Sequence, residues 1–261
     1  MTQQKLSEAE IYNLSQEIVN GQGYVVIPNL ISRDAALTAR DLIIDLAATE
    51  TIPPSATRDN KVRLYGLIYK GEIFEQLVQH PVLLAIIEAI LGKDIILGGF
   101  SAHILYPGAT RMGVHVDYPY WAMSAPFPTQ PILEIQVIWL IEDFTEDNGA
   151  PLFAANTQKL ANKPNFKQFE AIAQKITGEA GSVILSHGLC WHDTSVNQSD
   201  RPRVSLLGNY TPQYIHPLEN NLFDFQPETL KRATPQLKKL LRHDWRSQKE
   251  RIFGMSLKMR D

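Results

Sequence analysis

The sequence predicts an α+β fold with a mainly β core: an antiparallel sandwich or jelly roll flanked by helices at both ends. Three patterns carry this expectation. Apolar residues recur at helical spacing before residue 94. Short β-branched runs separated by Gly, Pro and Asn then extend to residue 212, and a Lys- and Arg-rich stretch follows. The chain has 261 residues, which suits one large domain. The expected organisation is a helical N-terminal support over 1–93, a jelly-roll core over 94–212 and a helical C-terminal tail over 213–261.

The elements follow in order. Ser7 and Glu10 have capping-box spacing, and Ile11, Leu14 and Ile18 share one face, so a helix starts here. Gly21 to Gly23 end it, and YVVIPN reads as a short strand. Ser32 is the expected N-cap of a second amphipathic helix, SRDAALTARDLIIDLAA. Residues 51–62, TIPPSATRDNKV, contain two prolines and no periodicity and read as a long loop. Pro81 opens and Gly92 closes a third helix. The strand-like runs IILGGFSAHILYPG, PILEIQVIWLIEDF, GAPLFAA, GSVILS and RVSLLGNYT come next, interrupted by one helix at about 165–177. In the tail, LKKLLRHDWRSQKER reads as a solvated helix whose Leu237, Leu240, Leu241 and Trp245 pack on the body.

Composition narrows the function. Hydrophobic residues make up 44% of the chain, enough for a sizeable core. A net charge of -3 argues against a general nucleic-acid binder. The lone Cys190 excludes an internal disulfide framework and a multi-cysteine zinc site, and it fits a reducing cytosol. The polar N-terminal stretch lacks the apolar core of a signal peptide, and no apolar run reaches the roughly 18–20 residues of a membrane span. The expectation is a cytoplasmic protein with a small-molecule partner and neither nucleic acid nor membrane, its oligomeric state left open.

The stretch GVHVDYPYW raises a metal question. His115 and Asp117 are two apart, so on an extended segment both side chains face one way. Two imidazoles and one carboxylate form the facial triad of non-haem Fe(II) oxygenases, which leaves positions open for other ligands. HxD supplies two of the three. The third must come from elsewhere, with His80, His103, His187, His192, His216 and His243 available. In HGLCWHDTSVNQSDRPRVSLLGNY, Arg203, Ser205, Leu207 and Asn209 share one face of a strand. An Arg and a Ser two apart there make a carboxylate clamp, as a dicarboxylate chelating iron at its other end would need.

Three segments together resemble the phytanoyl-CoA dioxygenase-like family of Fe(II)/2-oxoglutarate-dependent oxygenases. PGATRMGVHVDYPYW is similar to the family's Pro-Gly turn and HxD. LEIQVIWLIEDFTEDNGAPLFAA is similar to its core strand, acidic turn and Asn-Gly. GSVILSHGLCWHDTSVNQSDRPRVSLLGNY carries its distal His, Asn and Arg. The resemblance spans roughly residues 94 to 212 and implies a double-stranded β-helix (jelly roll).

The resemblance also implies a cofactor set of Fe(II), 2-oxoglutarate and O2, the last two as cosubstrates. In the family the distal ligand precedes the cosubstrate arginine by 11 positions; this spacing leads from His192 to Arg203, whereas from His187 it leads to Gln198. The implied metal ligands are therefore His115, Asp117 and His192, with His187 beside the site or in a loop. Arg203 is implied to hold the distal carboxylate, assisted by Ser205 and Thr194. Gln136 is implied either to touch the cosubstrate or to be a satisfied interior polar residue, and out-of-phase Trp139 to be core. Where the family continues to Pro-Gly-Ser-His, this chain has Ala155, Asn156, Thr157 and Gln158, which removes support for substrate contacts from that loop. The resemblance implies hydroxylation of an unactivated C–H with release of succinate and CO2. Desaturation, epimerisation or ring closure is possible at the same iron, and a silent binding protein is the alternative from another class. Related halogenases carry a small residue where Asp117 stands, which argues against halogenation.

Candidate substrate contacts are Tyr118, Tyr120 and Trp121 after the metal motif, and Arg63 and Tyr65 in a lid at 51–66. His103 reads as a satisfied core histidine or a substrate contact. Glu134, in phase with Gln136, would want a cation if it faces inward, which hints at an amine or guanidine substrate.

Overall fold

The computed structural model describes residues 6–219, 222 and 225–243. Helix α1 (Glu8–Val19) starts as its sequence demands. Ser7 Oγ accepts the Glu10 N–H at 3.3 Å, and Glu10 Oε2 accepts the Ser7 N–H at 2.8 Å. Ser32 Oγ caps α2 (Arg33–Thr49) through the Ala35 N–H at 3.2 Å. A short helix, α3 (Glu72–Val78), precedes α4 (Pro81–Leu91), which Pro81 opens and Gly92 closes at φ +85°. Ile18, Ile43, Phe74, Leu83 and Ile86 bring these helices into one apolar core with the inner face of a large sheet.

That sheet has seven strands, all paired antiparallel. They are β1 (Tyr24–Ile27), β2 (Thr57–Arg58), β3 (Lys61–Leu64), β4 (Ile95–Leu105), β5 (Ile135–Leu140), β8 (Val183–His187) and β10 (Arg203–Pro212). Their order is β1-β8-β5-β10-β4-β3-β2. A second antiparallel sheet has the order β7-β6-β9, from β6 (Pro151–Phe153), β7 (Gln174–Lys175) and β9 (His192–Thr194).

Several boundaries differ from the sequence reading. Three strands of the large sheet come from before residue 94, so that segment is more than helical support. Much of the expected loop at 51–66 is a hairpin rather than a free lid. Asp59 and Asn60 take φ of +49° and +59°, the left-handed pair a two-residue hairpin turn needs. In β3, Val62 and Leu64 enter the core while Arg63 turns to the other face. These strands are too short to show a period in sequence. The expected helix at 165–177 is α5 (Phe166–Ile172), because Gln174 and Lys175 leave it to pair with β6. In the tail, α6 (Pro227–Arg232) and α7 (Pro235–Leu240) form, and Leu237, Leu240 and Leu241 are fully buried. Trp245 lies outside the described residues. Among the described residues no single helix is long and apolar enough to cross a membrane.

Candidate metal centre and its cavity

The segment after the Pro107–Gly108 turn runs antiparallel to the start of β9. His115 N–H donates to His192 O at 3.0 Å, and His192 N–H returns a bond to His115 O at 3.2 Å. The two histidines are thus cross-strand neighbours, with ring centroids 4.3 Å apart. Asp117 is held by its N–H, which donates to Gly188 O at 2.8 Å. One donor atom from each of His115, Asp117 and His192 lies within 4.8 Å of the others.

Both imidazoles are set to offer the same nitrogen. His115 Nδ1 is 2.8 Å from Gly113 O, and His192 Nδ1 is 2.9 Å from Cys190 O. A carbonyl can only accept, so each Nδ1 carries the proton and each Nε2 keeps its lone pair. Burial, then the neighbouring His192, pulls His115 down to about 4; burial also lowers His192. Both rings are therefore neutral near pH 7, as metal ligands must be. Burial pushes Asp117 up, against the pull of His115 and Arg63. Asp117 Oδ1 accepts from Gln136 Nε2 at 2.9 Å, while Oδ2 is buried without a partner. An orphaned carboxylate oxygen beside two imidazole lone pairs is a donor set short of one cation.

The three residues open onto a cavity of about 590 Å³. At one end Arg203 is 2% exposed. Its guanidinium donates to Ser205 Oγ at 2.8 Å and to Gly149 O, and it lies 4.5 Å from the Phe144 ring centroid. Its Nε has no acceptor. Burial pulls its pKa down to about 10, which still leaves it charged at neutral pH. Among the described residues no carboxylate forms a salt bridge with it. Thr194 lines the same end, with an unpartnered Oγ1. The arrangement is a buried cationic receptor for an anion, in the same cavity as the candidate metal ligands.

Gln136 lines the cavity while bonding Asp117. Trp139 is in the core, as expected. His103 is both buried and on the cavity wall, paired across β4 with Arg63 on one side and Ser205 on the other. Burial, with Arg63 and Arg203 nearby, holds it well below its usual range, so it is neutral. Arg63, Tyr65, Tyr118 and Trp121 line the cavity.

Two expected contacts lie elsewhere. Tyr120 is fully buried among Phe127, Leu133 and Leu189, and its hydroxyl accepts the Leu133 N–H at 2.9 Å. The chain forms a 3₁₀ turn at Tyr120–Ala122, which brings Tyr118 and Trp121 to one side and turns Tyr120 away. Glu134 precedes β5 and is fully buried beside Tyr120 and Gly188 rather than on the cavity wall. Its Oε1 accepts from Asn209 Nδ2 at 2.8 Å, and burial holds its carboxyl well above the usual range.

His187 stands apart from the metal cluster. Its Nδ1 accepts the Leu189 N–H at 3.0 Å, and its ring stacks on Tyr120 with centroids 6.1 Å apart. The loop 155–158 serves packing: Thr157 Oγ1 accepts the Trp191 N–H at 2.8 Å, and Gln158 Nε2 donates to Gly21 O at 3.0 Å.

The sequence reading missed Asp193. Its Oδ1 accepts the N–H groups of Met112, Gly113 and Thr194 at 3.1, 3.0 and 2.7 Å, and its Oδ2 accepts from Arg111 Nε at 2.8 Å. Asp193 therefore ties the His115 segment to the His192 strand. The signal was an acid beside one candidate ligand and an arginine just before the other.

The family model described as phytanoyl-CoA dioxygenase (PhyH) matches residues 19–205. The chain belongs to the phytanoyl-CoA dioxygenase family. The match includes His115, Asp117, His192, Arg203 and Ser205. Dioxygenase af480 of Aspergillus fumigatus is 26% identical over 243 residues, covering 87% of this chain and 75% of that protein. Among solved structures, the epimerase SnoN in complex with Fe3+, alpha-ketoglutarate and nogalamycin RO is 16% identical with a TM-score of 0.66, covering 85% of this chain and 91% of that one. HygX from Streptomyces hygroscopicus with nickel and 2-oxoglutarate bound is 14% identical with a TM-score of 0.64, covering 82% and 91%. These likenesses show the fold, the jelly roll of Fe(II)/2-oxoglutarate oxygenases to which the phytanoyl-CoA dioxygenase family belongs.

Proposed function

We propose that this chain is an Fe(II)/2-oxoglutarate-dependent dioxygenase that hydroxylates an unactivated C–H of a small molecule, with release of succinate and CO2. The carrying observation is one cavity that holds both a His-Asp-His donor cluster and a buried arginine that forms no salt bridge among the described residues. His115, Asp117 and His192 would hold Fe(II), which with 2-oxoglutarate and O2 supplies the oxidising power for C–H cleavage.

The residues around it have separate tasks. Arg203 binds the distal carboxylate of 2-oxoglutarate, and Ser205 and Thr194 add hydroxyl donors. Gln136 orients Asp117 through Oδ1 and leaves Oδ2 for the metal. Asp117 itself occupies the position a halide would need. Tyr118 and Trp121, with rings 5.7 Å apart, form an apolar wall that shields the site from water. The cavity size and its polar fringe suit a small-molecule substrate, and the buried free thiol of Cys190 suits a cytoplasmic location.

The test is aerobic incubation with Fe(II), 2-oxoglutarate and candidate small molecules, scored by succinate release and product mass. Gain of one oxygen supports hydroxylation. Loss of two hydrogens points to desaturation or ring closure, and unchanged mass to epimerisation. Absence of succinate from correctly folded, iron-loaded protein leaves only a binding role.

A further inference from the structure

Gly99 on β4 pairs with Asn209 on β10, and Asn209 pairs with Gln136 on β5. Gln136 bonds Asp117, and Gln136 and Asn209 line the cavity, so this row leads from the candidate metal cluster along the cavity to Gly99, the partner of Asn209 on β4. Two acceptor oxygens converge above Gly99. A Cβ there would lie 3.2 Å from Asn209 Oδ1 and 3.3 Å from Glu219 Oε1. The amide of Asn209 is oriented by its donation to Glu134, which turns Oδ1 toward this cradle. Glu219 is brought over the sheet by the N–H groups of Leu218 and Glu219, which donate to Gly98 O at 2.7 and 3.0 Å.

Glu219 lines the cavity and is 7% exposed. It accepts the Phe100 N–H at 2.8 Å and the Gly66 N–H at 3.5 Å. Among the described residues no Lys or Arg forms a salt bridge with it; Arg63 and Lys70 act on it from farther away. Burial pushes its carboxyl up to about 7, as befits an acid short of positive charge.

We propose that Glu219 and Asn209 form an amine subsite, in which a primary ammonium group of the substrate sits above Gly99 and donates to both oxygens. The assignment names a substrate class for the oxygenase and rests on that reading. An ammonium has three donors and no acceptor, so it satisfies two converging acceptors and compensates the carboxylate. A hydroxyl brings one donor, and a carboxylate is repelled. Tyr65, Tyr118 and Trp121 receive the apolar remainder, and their rings suit a nearby cation. The amine hint first raised by Glu134 thus passes to Glu219, with Glu134 holding Asn209 in place.

Calorimetry of the full chain with n-hexylammonium chloride and n-hexanol reads the subsite without turnover. Hexylammonium is expected to bind about tenfold more tightly than hexanol. Glu219→Gln removes the charge, and Gly99→Ala fills the cradle on a backbone without a left-handed φ; each is expected to abolish the preference. Equal binding of the two probes, tighter binding of hexanol, or a preference surviving both substitutions overturns the proposal. The measurement uses neither iron nor 2-oxoglutarate, so a failure of succinate release and a failure of amine preference are separate results.

Discussion

Arg203 shows how one residue makes a receptor. Its charge is buried against Phe144 and Ser205 and, among the described residues, forms no salt bridge, Glu142 acting on it only from farther away, so an arriving dicarboxylate gains a charge-assisted bond that the protein has not already used. Arg203→Ala is expected to raise the KM for 2-oxoglutarate on the order of 100-fold, with a smaller change in kcat. Steady-state kinetics against 2-oxoglutarate check this, and an unchanged KM would contradict the assignment. His187 gives a residue-scale test of burial. Its pKa falls from 6.5 to about 4 on burial, so the unfolded chain binds the proton more readily. The associated stability is full above pH 6.5 and is lost as pH falls through about 4. The stability gap between the wild type and His187→Gln should therefore narrow on acidification, by at most on the order of 3 kcal/mol. Denaturant unfolding near neutral pH and near pH 4 measures it, and a constant gap would refute it.

At the scale of elements, the site depends on two strand segments that meet at His115 and His192. Asp193 ties them together with four acceptor contacts. Asp193→Ala removes one of the two carboxylate partners of Arg111, the other being Glu170, and leaves three backbone donors unpaired; it is expected to cost about 3 kcal/mol of stability and to weaken iron binding. Thermal unfolding and metal titration check both; normal iron affinity would contradict a positioning role. The His115–Asp117 pair was legible in the sequence from its spacing alone, whereas His192 was singled out among the histidines only by the family resemblance. His115 and Asp117 needed only an extended segment to face one way. That Arg203 and Ser205 lie together was legible because residues two apart share one face of a strand. Tyr120 was not, because a single 3₁₀ turn changes which residues of YPYW share a side. The hairpin at 57–64 was hidden as well, since a two-residue strand has no period to read.

At the scale of the molecule, helices from both ends of the chain cover one face of the large sheet and leave its other face to the cavity. Leu240, in the C-terminal α7, is fully buried in the same core as Ile18 of α1. Leu240→Ala is expected to cost about 2–5 kcal/mol. Chemical denaturation measures it, and a negligible change would mean that the tail is not part of the core. The order of helices, strands and tail was visible from periodicity, but the joining of early strands to the sheet is a long-range pairing that no local pattern announces. The central claim is that His115, Asp117 and His192 hold iron in a cavity that also takes 2-oxoglutarate. The most direct measurement is the visible absorption of anaerobic protein with Fe(II) and 2-oxoglutarate. A weak charge-transfer band is expected in the wild type, retained in His187→Ala and lost in His192→Ala; no band in folded wild-type protein, or the reverse pattern in the two variants, would contradict the account.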